Sequence, residues 1–195
     1  MTVAVLPIVN YGDPVLRARG EPVRAFDAAL AQLARDMLET MRDARGIGLA
    51  APQVGRPLQL FVLDTGHDRE PLELDGRPIA DPAEVMPLAL ANAEVTVLPG
   101  EPEPMEEGCL SFPGVRGEVP RVERVAVDFR DLTGAPRRLV ATGLLARCIQ
   151  HEHDHCQGVL FIDRMGAAHR LRVEPKVRRL LRETQAGRRG DGSAA

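Results

Sequence analysis

The sequence predicts a single α+β domain, and three observations carry that prediction. Two stretches place apolar residues at helical spacing, and short runs of strand character lie between them. No internal repeat and no interdomain linker divides the 195 residues, a length that suits one core and is short for two. Hydrophobic residues at 44% and charged residues at 27% are ordinary for a globular chain and exclude wholesale disorder.

The elements follow in order. Residues 11–17, Tyr-Gly-Asp-Pro-Val-Leu-Arg, open with turn chemistry and read as an ordered N-terminal arm. Across 25–44, Phe26, Leu30, Leu33, Met37 and Met41 recur at steps of three and four, a helical stripe with Gly46 as its C-cap. The apolar run 58–63 reads as a buried strand, and the charged, Gly- and Pro-rich stretch 65–87 as a surface excursion. A strand over 89–98 leads into a loop over 99–104. Val125, Val127 and Phe129 alternate with Ala126, Asp128 and Arg130 as a half-buried strand, and 131–134 turns it toward a hairpin partner around 138–141. Residues 143–156 form the second clear helix, closed by Gly158. A further helix over 176–184 requires Pro175 at its first turn. The domain is expected to span 1–184, with 185–195 a frayed tail.

Composition narrows the function classes. A net charge of −3 and a pI near 6.0 give no basic field to recruit nucleic acid, and the absence of Trp with a single Tyr argues against a base-stacking platform. The basic residues are 24 Arg and one Lys, Lys176. The N-terminal residues lack a charged n-region, a long apolar h-region and a small-residue cleavage site, and no stretch approaches the roughly 18 apolar residues that span a bilayer. Three cysteines do not suggest a disulfide framework. Cytoplasm is the expected compartment, where a reducing poise keeps a thiolate available.

The strongest local signal is His151-Glu152-His153-Asp154-His155. On a helix, His151 and His155 project from one face a turn apart, and two imidazoles so placed share a metal ion. Glu152 lies near enough to handle the proton of a bound water. Leu144, Cys148, His151 and His155 form one stripe, so the histidines continue a buried face. His153 sits about 200° round from His151 and reads as solvent-facing.

A catalytic metal site needs a third ligand and an open fourth position. Cys109 in Glu-Gly-Cys-Leu-Ser is the first candidate, Glu174 the second and Cys148 the third, although Cys148 suits a small buried apolar role. Cys156 projects about 100° off His155 and reads as a bystander. A Gly/Ala-rich segment, Gly46-Ile-Gly-Leu-Ala-Ala-Pro-Gln53, joins the first helix to the first strand. Its small residues suit close packing against a ligand or another backbone, and Gln53 offers an amide donor.

Together these clusters resemble the peptide deformylase family. Gly-x-Gly-x-Ala-Ala-x-Gln is met by Gly46 to Gln53, Glu-Gly-Cys-x-Ser by Glu107 to Ser111, and the Gln-His-Glu helix motif by Gln150 to His155, all in the family's order. The resemblance covers about residues 7–165. It implies an α+β fold with the metal-bearing helix packed against antiparallel sheets, and removal of the formyl group from formyl-methionine at the start of new polypeptides. It implies Cys109, His151 and His155 as metal ligands, Glu152 as general acid/base, and Gln53 with the Leu110 backbone N–H as carbonyl-oxygen donors. Ile47, Met105, Leu144 and Cys148 are then the methionine pocket, with Gly48 and Gly108 beside the substrate. Glu107 and Arg116 match positions that support the site and approach the substrate backbone.

The implied ion is Fe²⁺, with Zn²⁺, Ni²⁺ and Co²⁺ compatible with one thiolate and two imidazoles. The expected partners are an N-formyl-Met peptide and nascent chains at the ribosome, with no membrane and no nucleic-acid reading. Cys156, where leucine is usual, and Arg147, where some members carry an aliphatic residue, depart from the commonest pattern. The rival readings are a generic zinc endopeptidase with Glu174 as third ligand, and a non-catalytic metal-binding module.

Overall fold

The computed structural model describes residues 2–66 and 70–191, with side chains through residue 188. Met1, residues 67–69 within the expected excursion and 192–195 of the expected tail lie outside the described residues. Helices α1 (Ala28–Asp43) and α2 (Gly143–Cys156) enclose in sequence all nine strands of the described residues, and α3 (Phe161–Arg164) and α4 (Ala167–Asp191) follow. The strands are β1 (Gly48–Ala50), β2 (Leu60–Leu63), β3 (Leu72–Leu74), β4 (Arg77–Ile79), β5 (Leu88–Val97), β6 (Pro102–Gly108), β7 (Arg116–Val122), β8 (Val125–Arg130) and β9 (Pro136–Ala141). Every pairing among them is antiparallel: one sheet runs β1-β2-β5-β8-β9-β3-β4, and β6 pairs with β7 in a separate ribbon. The α+β class holds.

The main sheet is covered on both faces where it carries the site. Along β2 all four residues are buried, and alternation sends Phe61 and Leu63 toward α2 and Leu60 and Val62 toward α1. That is why the sequence shows a continuous apolar run there instead of an alternating one. On α1, Leu30, Met37 and Met41 fill the second face, each burial stabilising by about 1.5–3 kcal/mol. The helix begins where the Asp27 carboxylate accepts from the Ala29 and Leu30 N–H groups, both at 3.0 Å, so it starts later than periodicity alone suggests.

The left-handed residue that ends α1 is Arg45 (φ 57°), not Gly46, which instead closes onto the Met41 carbonyl at 2.8 Å. At the far end of α2, Gln157 caps the helix and Gly158 takes the left-handed conformation (φ 73°). A bulge in β5 puts Asn92 at φ 53°, where its side chain exchanges two hydrogen bonds with the Val23 backbone.

Four expectations are corrected. The excursion contains the β3–β4 hairpin, which pairs onto β9. The loop over 99–104 runs straight into β6, and β7 follows where the sequence suggests no strand. The last helix is continuous from Ala167, with Pro175 inside it; the neighbouring Leu171 is 73% exposed, so water can take the carbonyl that Pro175 leaves without its amide. The same helix passes through Gln185 and continues to Asp191, beyond the expected frayed boundary and in spite of the low helix propensity of Gly187 and Gly190.

A third core, under the site, gathers Leu16, Phe112, Phe161 and Ile162 with Val173 and Val177 of α4. Val9 and Tyr11 of the N-terminal arm bond to the Gln53 and Ser111 carbonyls at 2.8 and 2.9 Å. Both segments that flank the site are thereby pinned from behind.

Candidate active site

Helix α2 presents His151, Glu152 and His155 on its buried side, against β1 and β7, with Glu107 from the end of β6 bonded to His151. One ligand atom from each of Cys109, His151 and His155 lies within 4.8 Å of the others, and Cys109 Sγ stands 3.2 Å from His155 Nε2. A tetrahedral ion with one sulfur and two nitrogen ligands sets those edges at roughly 3.6 Å, so the cluster fits a divalent metal. His155 Nδ1 is buried without a partner, which leaves Nε2 as the nitrogen directed at the cluster.

The other histidine is held by a carboxylate. His151 Nδ1 donates to Glu107 Oε2 at 3.0 Å, freeing Nε2 for the cluster. Glu107 also accepts from Arg121 through Nε and Nη2 (2.7 and 3.1 Å) and from Arg147 Nη1 (2.9 Å). Burial opposes its charge, but His151 and Arg121 more than offset that and hold its pKa down at about 2. Arg121 continues to Asp154, which Arg164 also grips at 2.7 Å. Burial likewise opposes charge on both imidazoles. Bonds to Cys109 and Glu107 overcome it at His151 and raise its pKa, whereas His155 stays well below the ordinary histidine range.

Glu152 is 4% exposed, with Oε2 unpartnered. Burial pushes its pKa up to about 7, with His151 and Arg121 offsetting this only in part. A carboxyl poised near neutrality accepts and returns a proton efficiently. The Gln53 Oε1 accepts from the Ala50 N–H at 2.8 Å, which turns Nε2 toward Cys109 Sγ (3.5 Å) and Ser111 Oγ (3.3 Å). The Leu110 N–H has no acceptor among the described residues and is available to a ligand.

These groups meet in a cleft of about 680 Å³. Every expected site residue lines it except His155, which is buried behind His151: Gln53, Glu107, Gly108, Cys109, Leu110, His151 and Glu152 are there, with Ile47, Gly48, Met105, Leu144 and Cys148. Ile47, Met105 and Leu144 are among the exposed large apolar residues, at 41%, 50% and 39%, and make its mouth apolar. Arg116 also lines it, paired with Glu106 at 2.7 Å.

The alternative third ligands fall away, the bystander reading of Cys156 agrees with its place, and the exposure expected of His153 is corrected. Glu174 lies on α4 in ion pairs with Arg170 and Arg178 and takes no part in the cluster. Cys148 Sγ faces the Ile47 carbonyl at 3.6 Å and lines the cleft instead of joining the ligands. Cys156 Sγ sits against the Leu58 and Leu60 carbonyls, where burial pushes its thiol up to about 12. His153 does point away from the ligand pair, but it is half-buried against Gln157. Sequence reasoning missed Arg121, Asp154 and Arg164. Asp154, three residues after His151 on the same face, was the available signal.

A thiolate and two imidazoles around one point, an ionisable carboxyl beside them and a cleft on the open side define a class, the metal-dependent hydrolases. Comparison with known proteins narrows it. The family model for polypeptide deformylase matches residues 5–171, and the chain belongs to that family. A peptide deformylase of Opitutus terrae is 50% identical over 187 residues, covering 93% of this chain and 95% of the relative, and one of Chromohalobacter salexigens is 43% identical, covering 93% and 98%. A peptide deformylase of Synechococcus elongatus solved in complex with actinonin is 42% identical with a TM-score of 0.74, covering 95% of this chain and 88% of that one. A mutant of peptide deformylase 1B from Arabidopsis thaliana reaches a TM-score of 0.82 at 35% identity, covering 93% of each.

Proposed function

We propose that this chain removes the formyl group from the N-terminal formyl-methionine of newly synthesised polypeptides, with Cys109, His151 and His155 holding one divalent ion. The observation that carries the reading is the meeting of Cys109, His151 and the buried His155 beside an apolar-mouthed cleft that Glu152, Gln53 and Leu110 line. An ion held there supplies Lewis acidity and lowers the pKa of water toward neutrality. Fe²⁺ is the ion we assign, with Zn²⁺, Ni²⁺ and Co²⁺ able to occupy the same donor set.

The chain's own residues do the rest. Glu152 takes the proton of the attacking water and delivers it to the departing amine nitrogen, leaving formate and a free N-terminus. The Gln53 amide and the Leu110 N–H donate to the formyl oxygen as negative charge develops on it. Ile47, Met105, Leu144 and Cys148 bury the methionine side chain at roughly 25 cal/mol per Å². Glu107 supports the His151 ring, and Gly48 and Gly108 let the substrate backbone approach. We assign catalysis to residues 1–184, the cytoplasm as compartment and nascent chains at the ribosome as the substrate source. Glu174, bound up on α4, speaks against the endopeptidase reading, and Cys148 and Cys156, both turned elsewhere, against a closed four-ligand module.

The test is a matched set of blocked peptides. Formyl-Met peptides should turn over far faster than acetyl-Met analogues, because the added methyl must fit against the wall at Gly46 and Gly48. Changing the first residue to Gly should lower kcat/KM strongly, and norleucine should change it little. Equal rates on formyl and acetyl substrates, or cleavage of an internal bond, would overturn the reading.

A further inference from the structure

Arg147 belongs to two neighbourhoods at once. It lines the cleft beside Leu144 and Cys148, yet it is 8% exposed and its guanidinium is turned inward. Nη1 donates to Glu107 Oε1 and to the Val119 carbonyl, both at 2.9 Å, and Nη2 donates to the Glu103 carbonyl at 2.8 Å. Those contacts tie α2 to both strands of the β6–β7 ribbon. Arg147 also precedes His151 by four residues, so the two side chains leave α2 on the same face, and Glu107 bridges them.

We propose that Arg147 is a positioning residue: from the wall of the side-chain cleft it fixes Glu107, and through Glu107 the ring of His151. A carboxylate offers about four acceptor sites. At Glu107 the two donors of Arg121, one of Arg147 and one of His151 fill them, so Oε2 meets Nδ1 in one orientation. Removing Arg147 leaves Glu107 held from the Arg121 side alone and the ribbon without two of its ties to α2. A wall built only to receive an apolar side chain would be served better by leucine or methionine, since a buried guanidinium carries a desolvation cost. Its work is therefore on the carboxylate and the two carbonyls. Contact with the cleft then makes seating of the substrate side chain and orientation of the His151 ring parts of one packed unit.

The proposal rests on the deformylase reading for its kinetic arm only; its metal arm stands whatever the substrate proves to be. In the full chain loaded with Zn²⁺, R147M should release the ion to a chelator about tenfold faster than wild type, the lower end of what loss of a ligand's support costs. Its kcat on a formyl-Met peptide should fall by a similar factor while KM stays within about twofold, the new wall being apolar. R147K, which restores one donor, should recover part of both losses. Wild-type ion release with a change in KM alone would show Arg147 to be a wall and nothing more, and would overturn the proposal. If R147M does not fold, R147K decides: ion release measurably faster than wild type supports the proposal, and release identical to wild type overturns it.

Discussion

At position 48 only glycine fits. A Cβ there would lie 2.5 Å from Glu152 Oε1 and 2.6 Å from Cys148 Sγ, so β1 can pass this close to α2 only without a side chain. The Gly/Ala segment, whose small residues suit close packing against a ligand or a backbone, thus packs against α2 itself. The ligands were legible for a simple reason: His151, Glu152 and His155 lie within little more than one turn, and Cys109 stands in a short motif of its own. Of their support only Glu107 was legible, through its short motif; Arg121 and Asp154 come from separate elements and join it only after folding. A three-ligand site has no redundancy, so C109S, H151A and H155A should each cost most of the bound metal. C156S should keep it, its thiol lying against the Leu58 and Leu60 carbonyls. Metal analysis of the purified variants checks this, and stoichiometric metal in C109S would remove Cys109 from the ligand set.

Among the elements, α1, α2 and the strands β2, β5, β8 and β9 are legible in the sequence, and the ribbon is not. In β6 nearly every residue is exposed and two are prolines, a composition that reads as loop yet is tolerated at a ribbon edge. In β7 the buried positions are Gly117, Val119 and Arg121, so an arginine sits where alternation calls for an apolar residue and hides the pattern. Short α3 is anchored by its Asp163. Burial opposes this carboxylate's charge, but Arg17 and the Leu160 N–H outweigh it and hold its pKa below the ordinary value. A pKa lower in the folded chain than in the unfolded one gives stability above the unfolded value, lost as pH falls through the folded value. D163N should therefore flatten the decline in stability below about pH 4, the ordinary carboxylate range. Denaturant melts of both proteins across the acid range measure it, and parallel acid limbs would refute the role.

For the molecule as a whole, the α+β class follows from helical and strand periodicity, while the order β1-β2-β5-β8-β9-β3-β4 does not, because strand order depends on pairings distant in sequence. What that topology achieves is a metal cluster assembled from a loop and a helix and clamped by three cores. An ion bound to the folded state alone should raise Tm, by about 4 kcal/mol of stability at a thousandfold excess over Kd. Chelation should lower Tm in wild type and leave C109S unmoved, as thermal melts with and without chelator will show. The most direct test of the central claim is formate release from a formyl-Met peptide by Glu152→Gln, compared with wild type at equal metal content. One ion per chain is expected in both proteins, with a rate lower by about 10²–10⁴-fold in the variant, whose amide can hold a water but cannot accept its proton. A fully metallated variant within tenfold of wild type would contradict the claim.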